Sequence, residues 1–269
     1  MMELNKIYNE SCLETMSRMP DGFIDMVLTS PPYDNLRTYD NDIDKTWGAH
    51  IWQPIIKELY RVVKDGGVVV WIVGDATING SETGTSFRQA LYAMECGFNL
   101  LDTMIYYQNG TGAKGSNYAY WQSFEYMFVF TKGFPFASNR IADVKNSVGG
   151  KRRKLSKKSI MVNTRIHRSY VINPFYSVRP NVWIFNCGFS DSSDKTEHPA
   201  PFPEKLAADH IYSWSNEGDI VYDPFMGSGT TAKMAHIYKR KWIGSEISSK
   251  YVELAYKRID PYLRQTSLF

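Results

Sequence analysis

The sequence predicts an open, largely parallel α/β sheet, and three observations carry that prediction. Short apolar runs alternate with segments of helical periodicity along most of the chain. One run, VVVWIV at residues 68–73, is continuously apolar, as a central strand covered on both faces must be. A glycine-bearing turn, DPFMGSGTT at residues 223–231, stands between a strand pattern and a helix pattern. Open α/β sheets bind their ligands at such turns, beyond the carboxyl ends of the strands.

The elements follow in order. Residues 25–28 read as a buried strand ending at Ser30, Pro31 and Pro32, because proline has no amide to donate and disfavours helix in the residue before it. Trp52, Ile55, Ile56, Leu59, Tyr60 and Val63 recur at helical spacing and predict a helix over 52–63, stopped by Gly66 and Gly67. After the 68–73 strand, a helix over 87–96 ends at Gly97, and strands cover 100–107 and 124–130. Over 134–179 the periodicity fades into proline, serine, asparagine and basic residues, as in an inserted, less regular segment. Order returns with a strand at 182–185 and a helix over 204–214, led in by the proline-rich HPAPFP of residues 198–203. A strand at 219–222, a helix over 231–238, a strand at 241–245 and an amphipathic helix over 249–259, ended by Pro261, complete the pattern. The expected organisation is residues 1–133, an insertion at 134–180, and residues 181–269.

A chain of 269 residues can bury one substantial core. Its 43% hydrophobic and 22% charged residues are ordinary for a globular protein. The net charge of +3 says little, but its distribution says more. Lys145, Lys151, Arg152, Arg153, Lys154, Lys157, Lys158 and Arg165 crowd the insertion against one acid, Asp143, which suits either a polyanion contact or a solvated loop. Cys12, Cys96 and Cys187 are far apart and form no zinc or disulfide pattern, so no metal and a reducing cytoplasm are expected. No stretch approaches the length of a membrane span.

At the glycine turn, Gly227 and Gly229 allow a ligand close to the backbone, and the helix opening near Thr230 offers free N–H groups. Asp223 begins the turn, and Glu246, at the end of the next strand, is placed to take two ribose hydroxyls. A phosphate loop would require lysine after the last glycine, and Thr230 stands there instead. A dinucleotide site would require GxGxxG after the first strand, and the chain has only GSG.

Together, the LTSPPY of residues 28–33 and the DPFMGSGTT of residues 223–231 resemble the motifs of the DNA amino-methyltransferases, which modify an exocyclic base nitrogen. The resemblance covers nearly the whole chain and implies S-adenosyl-L-methionine as cofactor and double-stranded DNA as partner. The order of the motifs is similar to the beta arrangement of that family. It implies a circularly permuted Rossmann-like methyltransferase sheet with an inserted target-recognition segment. Residues implied at the cofactor are Thr29, Asp223, Pro224, Phe225, Gly227, Ser228, Gly229 and Glu246, with Asp223 near a positive group. Phe202 and Lys205 belong to the segment that lines the methionine side in the family, and Ser11 and Cys12 to the segment near the adenine. The family commonly carries Gly-Asp-Cys there, where this chain has Glu10, Ser11 and Cys12, so Ser11 would replace part of the polar contact.

At the other turn, an exocyclic amine is a poor nucleophile because its lone pair is delocalised into the ring. Acceptors on its two hydrogens free that pair, and the Ser30 hydroxyl and Pro31 carbonyl are suited to this, the latter because Pro32 has no N–H. Tyr33 offers a face for stacking a base swung out of the duplex. Serine at the first position is similar to the signature common in N4-cytosine enzymes, whereas aspartate or asparagine is typical of N6-adenine enzymes. Cytosine is the expected base and adenine the alternative. Arg37, Tyr39, Lys151, Arg152, Arg153 and Lys154 are the expected DNA contacts, with surface positions on a polar loop the equal alternative for Arg37 and Tyr39. The resemblance leaves open a homodimer and a cognate restriction endonuclease. A methyltransferase of protein or RNA is disfavoured by the motif order, and a non-catalytic relic by the intact turns.

Overall fold

A computed structural model describes residues 2–32, 47–109, 117–154, 170–186 and 202–265. Tyr33, Arg37 and Tyr39 lie outside the described residues, as do Lys157, Lys158, Arg165, Cys187 and His198. The chain divides into two compact units, Met1–Asn139 with Asn181–Phe269, and Arg140–Pro180.

The larger unit holds an eight-stranded sheet. Its elements in chain order are β1 (Lys6–Tyr8), α1 (Cys12–Ser17), β2 (Ile24–Thr29), α2 (Ala49–Val62), β3 (Val63–Val73), a hairpin of β4 (Thr77–Ile78) and β5 (Ser81–Glu82), α3 (Thr85–Glu95), β6 (Asn99–Asn109) and β7 (Phe124–Thr131). The smaller unit contributes β8 (Val144–Lys145), β9 (Arg152–Lys154), β10 (Tyr170–Ile172) and β11 (Tyr176–Ser177). The larger unit resumes with β12 (Val182–Asn186), α4 (Glu204–Trp214), β13 (Ile220–Asp223), α5 (Thr230–Ile237), β14 (Lys241–Ser245) and α6 (Ser249–Gln265).

The strand order is β1-β14-β13-β2-β3-β7-β6-β12. β7 runs antiparallel to both neighbours, and every other pairing in the sheet is parallel. The period-2 alternation of β3 shows why its apolar run is unbroken. Val68, Val70 and Ile72 pack with Leu206, Ile211, Ala235 and Ile259 on one face. Val69, Trp71 and Val73 pack with Trp52, Ile55, Leu59 and Ala90 on the other. Each such side chain, fully buried, contributes about 1.5–3 kcal/mol.

Two of the boundaries that differ from the sequence expectation have a plain physical cause. Residues 64–67 do not cap α2; they belong to β3, which begins at Val63 with an irregular register against β2 between Ile24 and Met26. Gly67 is needed there because a Cβ would fall 2.9 Å from the Asp25 carbonyl oxygen. Nor does Pro261 end the last helix, which continues to Gln265. Tertiary contacts hold its final turns: the Tyr262 carbonyl meets His236 Nε2 at 3.2 Å, and Leu263 packs on the core. Among the described residues no helix is long and apolar enough to cross a membrane.

In the smaller unit β8 pairs antiparallel with β11, and β9 with β10. An Arg179–Asp143 ion pair and a Phe175 ring packed on Gly149 and Gly150 complete it. Lys151, Arg152, Arg153 and Lys154 are all exposed.

Candidate active site

The two turns singled out in the sequence meet. β2 and β13 are adjacent and parallel, so Ser30 and Asp223 leave the same edge of the sheet. Thr29 Oγ1 donates to Asp223 Oδ1 at 2.7 Å across 194 residues of sequence. Asp223 also accepts from Thr231 Oγ1 at 2.7 Å and from the Phe225 amide at 3.0 Å. The carboxyl is thereby fixed between strand β2, its own turn and helix α5. Burial pushes its pKa up to about 6, against the pull of these three hydrogen bonds.

Beyond Asp223 the chain turns through Gly227 and Gly229, both in the left-handed region at φ 51° and 80°. The two glycines have different reasons. The Gly227 amide donates to Glu246 Oε2 at 2.8 Å, tying the turn to the end of β14. Gly229 also answers to packing: its Cβ would lie 2.9 Å from Ala255 Cβ, so the close approach of α6 favours glycine there. The Ser228 hydroxyl is likewise turned inward, accepting from Arg258 Nη1 at 3.2 Å. Phe225 is held edge-on by Trp47 and Trp71, at ring separations of 5.7 and 6.3 Å.

Glu246 accepts the Gly227 amide on one carboxylate oxygen and the Ser248 amide, at 2.9 Å, on the other. Each oxygen retains a lone-pair direction, which suits a pair of hydroxyl donors. Burial raises its pKa in spite of those amides. The N-terminal segment lies alongside, since β1 pairs with β14, the Glu246 amide donates to the Tyr8 carbonyl, and Asn9 Nδ2 donates to the Glu246 carbonyl at 2.8 Å.

Ser11 and Cys12 have structural tasks here. Ser11 is the N-cap of α1, with a capping box completed by Glu14. Cys12 is buried, and desolvation pushes its thiol up to about 12. Phe202 packs on the core below α4, whereas the Lys205 ammonium is exposed and paired with Asp209 at 3.1 Å.

Sequence reasoning missed two groups. Asp75, buried just past the end of β3, accepts from the Ser86 amide at 2.9 Å and from the Ser86 hydroxyl, pinning the start of α3 to this edge. Arg258 reaches the glycine turn from α6. A lone acid after a strand and an arginine on an amphipathic helix carry no sequence signal of such contacts. The rim near the start of β7, where Tyr126 pairs with Val73 of β3, carries the exposed rings of Tyr118, Tyr120 and Trp121.

A family model described as DNA methylase matches residues 24–257. The chain belongs to the N6/N4 DNA methylase family. It is 50% identical over 253 residues to the orphan methyltransferase M.BamHII of Bacillus amyloliquefaciens, covering 90% of this chain and 91% of that one. In fold it is similar to the PvuII DNA methyltransferase, described as cytosine-N4-specific, with TM-score 0.68, 20% identity and coverage of 97% and 91% of the two chains. It is also similar to M1.HpyAVI in a complex with SAM, with TM-score 0.61, 21% identity and coverage of 95% and 98%. The mixed α/β sheet of this DNA amino-methyltransferase is thus that of known methyltransferases.

Proposed function

We propose that this DNA amino-methyltransferase methylates the N4 amine of a cytosine swung out of double-stranded DNA. The observation that carries the reading is the Thr29–Asp223 hydrogen bond, which brings the Ser30 turn against the glycine turn at one sheet edge. The cofactor is S-adenosyl-L-methionine, whose sulfonium supplies an electrophilic methyl group when bound. The residues present suit it: Glu246 keeps acceptor capacity for two hydroxyls, and Asp223 is a buried acid at the turn where a cationic group would be matched.

The chain's own part is to prepare the amine. The Ser30 hydroxyl and Pro31 carbonyl hold its hydrogens, and Tyr33 stacks the base. Position and electrostatics then supply most of the rate. Serine at position 30 supports cytosine over adenine. The exposed run Lys151–Lys154 supports phosphate contacts by the smaller unit, which we assign to target recognition. The motif order supports the beta arrangement, and the reducing cytoplasm is the setting we assign.

The test is to express the protein, digest the cellular DNA to nucleosides and identify the product by mass spectrometry. N4-methylcytosine is expected. N6-methyladenine would overturn the base assignment and leave the family intact.

A further inference from the structure

Three charged side chains on three helices converge on the back of the glycine turn. Arg258, on α6, is 5% exposed, and its Nη1 donates to Thr230 Oγ1 at 2.8 Å, to Ser228 Oγ at 3.2 Å and to the Ser228 carbonyl at 3.4 Å. Its Nη2 donates to Glu204 Oε1. Glu204 is the first residue of α4, and the same oxygen accepts from Lys233 Nζ of α5 at 2.7 Å. Lys233 is 2% exposed and lies over the Tyr262 ring, 4.7 Å from its centroid. Burial, the largest single influence, pushes the Glu204 carboxyl up, but the hydrogen bonds and charges of Lys233 and Arg258 outweigh it and hold it below the ordinary glutamate range.

Stability alone is a poor reason for this arrangement. Two buried cations share one carboxylate, and buried ionic groups of this kind are commonly no more stabilising than apolar side chains of the same volume. What the cluster does achieve is geometric. A guanidinium presents its donors in a rigid plane, so one side chain fixes the Ser228–Thr230 turn and the opening of α4 relative to each other. Those are the two segments, otherwise distant in sequence, that carry Phe202 on one side and Gly227 on the other.

We propose that Arg258 is a positioning residue for the cofactor, setting the glycine turn against the start of α4 through Ser228, Thr230 and Glu204. The inference rests on the assignment of the cofactor to this turn. Arg258 touches the turn from behind and acts only through it.

The test is calorimetric titration of S-adenosylmethionine and S-adenosylhomocysteine into the wild type, Arg258→Ala, Arg258→Lys and Glu246→Ala, with thermal unfolding of each protein without ligand. Arg258→Ala leaves Glu204 and Lys233 as a charge-balanced pair, which favours its folding. Both ligands should bind it more weakly by roughly 10–100-fold, by analogy with residues that orient metal ligands from the outer shell. Arg258→Lys keeps a bond to Glu204 but not the fork, so it should lose affinity to a smaller extent. If Arg258→Ala does not fold, the affinity of Arg258→Lys decides. Folded Arg258 variants that bind both ligands like the wild type, whatever their melting temperature, overturn the positioning role. If Glu246→Ala also binds like the wild type, the site assignment falls with it; if Glu246→Ala binds weakly, only the role of Arg258 falls.

Discussion

Asp223 combines full burial with three hydrogen bonds, and the two act on its proton in opposite directions. Burial wins and lifts the pKa to about 6. Without ligand, the folded chain therefore holds this proton more tightly than the unfolded chain. The contribution of Asp223 to stability should fall as pH climbs from the ordinary aspartate range to about 6 and then level off. A positive group bound beside it reverses the preference and favours the carboxylate. Affinity for S-adenosylmethionine should then weaken as pH drops through about 6, by up to about tenfold per unit, with proton uptake by Asp223 competing against binding. Calorimetry in two buffers of different ionisation enthalpy measures both the affinity and the released proton; a flat profile with no proton release would place the positive group elsewhere. At Gly229, two independent penalties coincide, a left-handed backbone and a Cβ 2.9 Å from Ala255. Gly229→Ala should destabilise the fold by about 2–5 kcal/mol, the sum of a left-handed alanine and an overpacked contact. Denaturant unfolding would show it, and a loss of cofactor affinity with unchanged stability would return Gly229 to the ligand.

Elements were legible where local pattern and tertiary demand agree. Helix α4 and strand β14 fall where periodicity puts them, at Glu204–Trp214 and Lys241–Ser245. The errors arise where a residue's local meaning is overridden by a neighbour in space. Gly66 and Gly67 look like a helix stop but serve a strand irregularity, and Pro261 looks like a helix end but sits in a turn held by Tyr262 and Leu263. The same distinction divides the site. Asp223, Gly227 and Glu246 could be named because strand–turn–helix order places them together. Arg258 could not, because its partners lie 28 and 54 residues away on other helices. Two elements carry predictions about DNA. Replacing Lys151, Arg152, Arg153 and Lys154 by glutamine should weaken binding to all sequences and flatten its salt dependence, by up to about one unit of slope for each phosphate no longer neutralised. Alanine at Tyr120 and Trp121, exposed beside the carboxyl end of β3, should cost about 1–3 kcal/mol of DNA affinity for each base left unstacked. An unchanged affinity in a filter-binding or anisotropy titration would make these rings ordinary surface.

At the scale of the molecule, the proposed function gives each of the two compact units its own task. All eight strands of the sheet, both turns and the buried ionic cluster belong to Met1–Asn139 and Asn181–Phe269. Among the described residues, Arg140–Pro180 pairs β8 with β11 and β9 with β10 and holds the exposed basic run. Every pairing of the sheet joins strands of the larger unit. Replacing one connection by a longer or shorter flexible one changes the closure entropy slowly, by about 0.6 kcal/mol per doubling of length. Substituting residues 140–180 with a glycine–serine linker should therefore leave a cooperatively unfolding protein that binds S-adenosylmethionine with near wild-type affinity. Its affinity for duplex DNA should fall steeply, and with it most of the salt dependence that the basic residues confer. Calorimetry with the cofactor and anisotropy with a labelled duplex at several salt concentrations read the two tasks apart. Loss of cofactor binding in a folded linker variant would show that the smaller unit supports the site itself, and retention of full DNA affinity would move the polyanion contact to the rim that carries Tyr120 and Trp121.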